Sequence, residues 1–260
     1  MPRILITGSS DGLGLQVAQR LVSRGHDVVL HARNEQRARD ATSACPGAQG
    51  VVTGDLSSLA QTKQLAASIN QLGGLDTLIL NAGLYRGDFR KTEDGIPALV
   101  AVNTIAPYVL AALVRPVPKR IVFLSSGLHQ SGSLDLGDLL WKRRGEAKWN
   151  DMTAYCDSKL CNILLAKAFA RRWPNVSVNA LDPGWMPTKM GGAGATGSFE
   201  SSIESYVLLA EGEGDECGEV TGRYWHPSKK EGKAVGGCED EEKQEELLKR
   251  CREFSGVDIE

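Results

Sequence analysis

Tyr155 and Lys159 stand four residues apart in Tyr155-Cys156-Asp157-Ser158-Lys159, a spacing that stacks two side chains on one face of a helix. The apolar run Leu160 to Phe169 behind them makes that helix a buried one. A phenol ordinarily titrates near about 10, and a neighbouring ammonium favours the phenolate and lowers that value. Such a tyrosine can give a proton to a carbonyl oxygen or take one from an alcohol. The same pair is common on helices that do no chemistry, so the reading depends on what else the chain sets beside it.

The elements that must position this pair can be followed from the N-terminus. Arg3-Ile4-Leu5-Ile6-Thr7 reads as a buried parallel strand. It runs into Thr7-Gly8-Ser9-Ser10-Asp11-Gly12-Leu13-Gly14 and then a helical pattern. Strand, glycine turn and helix form a phosphate cradle: the glycines admit a pyrophosphate and the helix start offers free N–H groups. The alternative is a tight turn and nothing more. Asp11 is expected to cap that helix with its carboxylate turned away.

The second strand, Asp27 to Ala32, lacks the carboxylate that usually bonds a ribose hydroxyl at its end, and Arg33 follows instead. A guanidinium there suits a 2′-phosphate, which favours NADP over NAD. Asp55, with Leu56, closes the third strand and can meet an adenine amino group or cap the next helix. The fourth strand ends in Asn81-Ala82-Gly83, small enough to approach a ribose. Asn103 lies in the apolar helix from Leu99 to Val114, and the fifth strand delivers Ser125-Ser126. Strands and helices alternate throughout, the pattern of an α/β protein: one Rossmann-like, doubly wound parallel sheet of about seven strands with helices on both faces. Ligands bind beyond the carboxyl ends of such strands, where these motifs fall.

A polar loop with Trp141, Lys142-Arg143-Arg144 and Trp149 precedes the Tyr-Lys helix. After the sixth strand come Pro183-Gly184-Trp185-Met186, Thr188 and a glycine-rich stretch, read as a substrate lid over 185–210. Pro227 to Gly237 reads as surface loop, and 239–254 as a charged helical tail. The 260 residues fit one domain over 1–260. A net charge of -2 argues against nucleic acid as a partner, and the basic triplet reads as a solvated face. The cysteines, 45, 156, 161, 217, 238 and 251, form no C-x-x-C pair and read as cytosolic thiols, with no metal site. Strand-like sequence begins at once, so no membrane anchor is expected before it, and the expected location is cytoplasmic.

In this order, Thr7-Gly8-x-x-x-Gly12-x-Gly14, Asn81-Ala82-Gly83, Asn103, Ser126, Tyr155-x-x-x-Lys159 and Pro183-Gly184 resemble the short-chain dehydrogenase/reductase family. Ala154 to Leu160, and the long gap after Ser126, are similar to its retinol-dehydrogenase-like and carbonyl-reductase-like branch. The resemblance implies a nicotinamide-dependent oxidoreductase acting on a carbonyl or alcohol, with a tetrad of Asn103, Ser126, Tyr155 and Lys159. Ser126 would hold the substrate oxygen, Ser125 being the competing serine, and Tyr155 would exchange the proton. Lys159 would bond the nicotinamide ribose and acidify Tyr155, and the helix at Asn103 would hold a relay water. Cofactor contacts would come from Gly8, Ser9, Ser10, Gly12, Leu13, Gly14, Arg33, Asp55, Leu56, Asn81, Ala82 and Gly83. Tyr155, Lys159, Pro183, Gly184, Met186 and Thr188 would complete them. Leu128, His129, Trp185 and Trp141 would form an apolar substrate pocket. A monomer or homodimer is expected. Two other readings are a dinucleotide sensor without chemistry and a nucleotide-sugar epimerase, for which the chain after Thr188 is short.

Overall fold

A computed structural model of the chain describes residues 1–212 and 220–259; Cys217 lies outside them. β1 (Arg3–Ile6), α1 (Gly12–Ser23), β2 (Asp27–Ala32), α2 (Glu35–Ala44), β3 (Gly50–Thr53), α3 (Leu59–Asn70) and β4 (Thr77–Leu80) alternate as the sequence pattern requires. Helix α4 (Ala98–Val100) passes through a π-helical stretch, Ala101–Ile105, into α5 (Ala106–Leu113). Then follow β5 (Arg120–Leu124), α6 (Asp151–Arg172), β6 (Ser177–Leu181), α7 (Phe199–Glu211), β7 (Tyr224–His226), β8 (Lys230–Gly232) and α8 (Glu241–Ser255).

The strands form one sheet in the order β3-β2-β1-β4-β5-β6-β7-β8. All neighbours are parallel except β7 and β8, an antiparallel pair. The strand order reverses between β1 and β4, which opens the crevice there. Both faces of the sheet are covered, so alternate residues of each strand enter different cores. Leu5, Leu78 and Phe123 meet α3, α5 and α6 on one face. Ile4, Ile79 and Val122 meet α1 and α7 on the other.

Three expectations change. The sheet has eight strands, because Lys230–Gly232 folds back on β7 within the stretch read as surface loop. The loop between β5 and α6 contains three short 3₁₀ turns. Of its basic triplet Arg144 is tied inward, bonding both Asp138 and Asp157, while Lys142 and Arg143 stay exposed, the latter paired with Asp135. α8, charged though it is, buries Leu247, Leu248 and Cys251 against α6.

Candidate active site

The crevice beyond the strand ends has a volume of about 1010 Å³. At one end lies the glycine turn. Gly8 and Gly12 adopt φ of 66° and 57°, a region costly for any residue with a Cβ. A Cβ at Gly14 would come within 2.6 Å of Asn81 Nδ2 and 2.7 Å of Gly8 O, so this glycine lets α1 sit against the strand ends. Asp11 occupies the N-cap position of α1 with its carboxylate turned away, as expected, but its side chain makes no cap bond. Its carboxylate turns out to Arg37 at 3.2 Å and Lys189 at 3.8 Å. The first turn of α1 therefore opens on the crevice with no side-chain cap, a fit for a pyrophosphate.

Gly8, Ser10, Gly12, Leu13 and Gly14 line the crevice, as do Arg33, Asp55 and Leu56. Ser9 does not: it is buried, its hydroxyl donating to Ile6 O and accepting from His31 N. Strand-end geometry points alternate residues inward, and Ser9 is one of these. Asp55 Oδ1 accepts from Ser57 N, while Ser58 caps α3. Asn81, Ala82 and Gly83 line the middle, where the Asn81 amide is held by Thr7 O, Gly8 O and the Tyr206 hydroxyl. Two further residues line this end. Arg37 lies one helical turn beyond Arg33, a spacing visible in the sequence. His31, 3% exposed, accepts from Gly8 N at 2.9 Å and faces Gly54 O at 3.0 Å. Burial lowers its pKa to about 4.

At the other end Tyr155, Lys159 and Ser126 face one another. The Tyr155 phenol shares the crevice wall with Ser126, whose hydroxyl favours the phenolate, and stacks edge-on with Tyr85 at 4.8 Å. Lys159 Nζ donates to Leu124 O at 2.9 Å and lies 5.4 Å from the Tyr155 ring centre. Burial pushes Tyr155 up to about 12, against the pull of the Ser126 hydroxyl and with the Asp182 carboxylate adding to the rise. Burial lowers Lys159 to about 8. The expected acidification of Tyr155 by Lys159 thus gives way to burial, which dominates both groups.

Ser125 and Ser126 both border the crevice, but Ser125 is 2% exposed and its hydroxyl is committed to Lys159 O, whereas Ser126 is the more open of the two. Asn103 is fully buried in the π-helical stretch. Its Oδ1 accepts from Leu84 N, and its Nδ2 donates to Leu84 O and Ser158 Oγ. Ser158 in turn donates to Tyr155 O. The Asn103 amide therefore braces the tyrosine's turn from behind and does not enter the crevice.

Leu128, Trp185, Met186, Pro183, Gly184 and Thr188 line the crevice. His129 does not, a second correction: it is fully buried, Nδ1 against Ser126 O at 2.8 Å and Nε2 accepting from Val235 N at 3.3 Å. Trp141 is also buried, packing behind Tyr155 with Leu99 and Ala154. Tyr85, Met152 and Arg90 line the mouth in their place. The lid expected over 185–210 cannot include α7, whose Tyr206 is buried and bonded to Asn81. Within the loop, a Cβ on Gly191 would strike Met186 O and one on Gly197 would strike Met186 Cε. These glycines permit close packing of the loop on Trp185 and Met186.

A doubly wound sheet with an uncapped glycine turn and a buried tyrosine-lysine pair in one crevice defines a dinucleotide-dependent oxidoreductase. Residues 2–135 match the family model described as short chain dehydrogenase. The chain is 46% identical to the short-chain dehydrogenase chyC of Penicillium rubens over 100% of this chain and 99% of that one. It is 31% identical to human retinol dehydrogenase 13, over 98% of this chain and 85% of that one. The NADPH-bound carbonyl reductase from chicken fatty liver superposes with a TM-score of 0.68 at 24% identity, covering 90% and 99% of the two chains. The chain belongs to the short-chain dehydrogenase family, in its retinol-dehydrogenase-like branch, and is a nicotinamide-dependent oxidoreductase of small molecules.

Proposed function

We propose that the protein is an NADP(H)-dependent oxidoreductase that interconverts an apolar aromatic or alicyclic carbonyl and its alcohol, with Tyr155 as general acid and base. The observation that carries this reading is that Tyr155, Ser126 and Lys159 line one crevice, Lys159 Nζ 5.4 Å from the Tyr155 ring centre, and that the uncapped α1 faces the same crevice. A bound nicotinamide dinucleotide supplies or accepts the hydride. Its pyrophosphate belongs at Gly12 to Gly14 and its 2′-phosphate at Arg33 and Arg37, and its carboxamide end belongs near Pro183, Gly184, Met186 and Thr188. The NADPH held by the chicken reductase accords with that choice of cofactor.

In the reducing direction, Ser126 donates a hydrogen bond to the carbonyl oxygen, and Tyr155 gives its proton as that oxygen becomes an alkoxide. A phenol held protonated near about 12 retains its proton until negative charge develops beside it. Lys159, near about 8, can lose and regain a proton at neutral pH and so can restore the phenol. Leu128, Tyr85, Met152, Trp185 and Met186 supply an apolar wall for the substrate. A cytoplasmic enzyme, monomeric or dimeric, completes the reading; among the described residues no helix is long and apolar enough to cross a membrane.

The test is Tyr155→Phe, assayed by NADPH consumption across a panel of aromatic and alicyclic ketones. Turnover should fall at least about a hundredfold, the usual contribution of general acid catalysis, with cofactor affinity nearly unchanged. Retention of most of the rate would refute the reading, and a sensor without chemistry would turn over no member of the panel.

A further inference from the structure

Asp182 ends β6 immediately before Pro183 and lines the crevice, yet no role above uses it. It is 8% exposed. Its Oδ1 accepts from Gly184 N at 2.8 Å, and its Oδ2 lies 3.4 Å from His226 Nδ1. Tyr224 of β7, whose hydroxyl lies 3.3 Å from His129 Nδ1, is raised in part by the same carboxylate, and a Cβ at Gly127 would lie 3.3 Å from Oδ2. Gly127 adjoins Ser126, so the carboxylate is seated directly beneath the residues that handle the proton. His129 forms the other wall of this nest: its ring stacks edge-on with Tyr224 at 4.9 Å, and Nδ1 donates to Ser126 O.

We propose that Asp182 is a positioning residue for proton transfer, its buried carboxylate holding the Tyr155–Lys159 pair in the protonated form and so favouring carbonyl reduction over alcohol oxidation. The inference rests on the oxidoreductase reading above. The groups facing Asp182 are Tyr155 and Lys159 from α6, Tyr206 from α7, Tyr224 and His226 from β7, and His129 from the turn after β5. Lys159 is a cation when protonated; the tyrosines and His129 are buried and stay neutral near pH 7. A negative charge among them makes loss of a proton harder from phenol and ammonium alike. Tyr155 and Lys159 both feel this carboxylate, so both move the same way when it is neutralised. Reduction needs the proton on Tyr155 and oxidation needs it gone. The carboxylate therefore extends reduction to higher pH and delays oxidation.

Asp182→Asn removes the charge and keeps an acceptor for Gly184 N; Asp182→Ser is the alternative if the first does not fold. Without cofactor, the Lys159 signal of [13C]lysine-labelled protein, assigned with Lys159→Met, reads the titration directly. The midpoint should lie near about 8 in the wild type and fall by about half a pH unit or more in Asp182→Asn, roughly a threefold change in protonation ratio. In pH–rate profiles with NADPH and a ketone, the high-pH loss of reduction should move down by a similar amount. With NADP and the alcohol, the rise of oxidation should move down too. His226→Gln, which leaves the carboxylate in place, should keep the high-pH limb where the wild type has it. An unmoved Lys159 midpoint in Asp182→Asn, or equal shifts in both variants, overturns the proposal. Absence of turnover in the wild type would instead count against the oxidoreductase reading, and the Lys159 titration would still decide the role of Asp182.

Discussion

Acid should loosen this fold at His31 before it reaches the carboxylates' ordinary range. The ring accepts from Gly8 N and faces Gly54 O, so it is neutral, with its proton on Nε2. A second proton on Nδ1 would point at the Gly8 N–H, donor against donor, in a site 3% exposed. Burial lowers the folded pKa to about 4 from an ordinary 6.5. For a base depressed in this way the stabilisation is full above the unfolded value and is lost as pH falls towards the folded one. At 1.36 kcal/mol per unit, the loss between about pH 7.5 and pH 4 is about 3 kcal/mol. The carboxylates add their own acid sensitivity, so the measurement is a difference between two proteins. His31→Asn, which cannot titrate, should be less stable than the wild type at about pH 7.5 in urea unfolding followed by tryptophan fluorescence. That gap should shrink by about 3 kcal/mol at about pH 4. A gap that stays constant across the range would show that His31 does not titrate in the folded protein, and the account of the Gly8 clamp would fail.

Two further predictions concern the cofactor and the loop over it. Each charge-assisted contact to a 2′-phosphate is worth about 2–3 kcal/mol, so Arg33→Ala should weaken NADPH roughly 30- to 150-fold and NADH little. Arg37→Ala should follow with a smaller loss, because Arg37 must first leave Asp11; equal NADPH and NADH affinities in the wild type would refute the pairing. Amide exchange across 185–198 should slow when NADP and a turned-over substrate are both present, since Thr188 lies against Gly12 and Trp185 over the crevice. Unchanged protection would mean that the segment is a fixed wall and not a lid.

Much of this architecture was legible because its signals are local. Apolar runs cut by glycine, asparagine or serine mark β1, β4 and β5, and the four-residue spacing sets Tyr155 and Lys159 on one face. What the sequence could not give is direction across the sheet. That Ser9 turns inward while Ser10 faces the crevice, and that the Ser125 hydroxyl is committed to Lys159 O while Ser126 stays more open, depends on the exact residue at which each strand ends. His31 becomes intelligible only once β1, β2 and β3 are known to be neighbours. His129 looked like a pocket residue by proximity to Ser126, but a 3₁₀ turn at Gly127–Ser131 rotates it into the core. β8 has three residues, two of them charged, and carries no apolar periodicity to detect. The glycines at 191 and 197 invite a reading of flexibility, whereas their neighbours call for the absence of a side chain.

The helix that carries Tyr155 and Lys159 packs against α8. The flank of α6 that carries Leu160, Cys161 and Leu164 is buried in the same cluster as Leu247 and Cys251 of α8. Beyond α8, Val257 O accepts from the Tyr108 hydroxyl on α5. Every residue assigned here to proton transfer lies before the end of β7, yet the helix that bears the tyrosine packs against one that follows it. Support for that tyrosine is therefore drawn from sequence far along the chain from the motif that announces it.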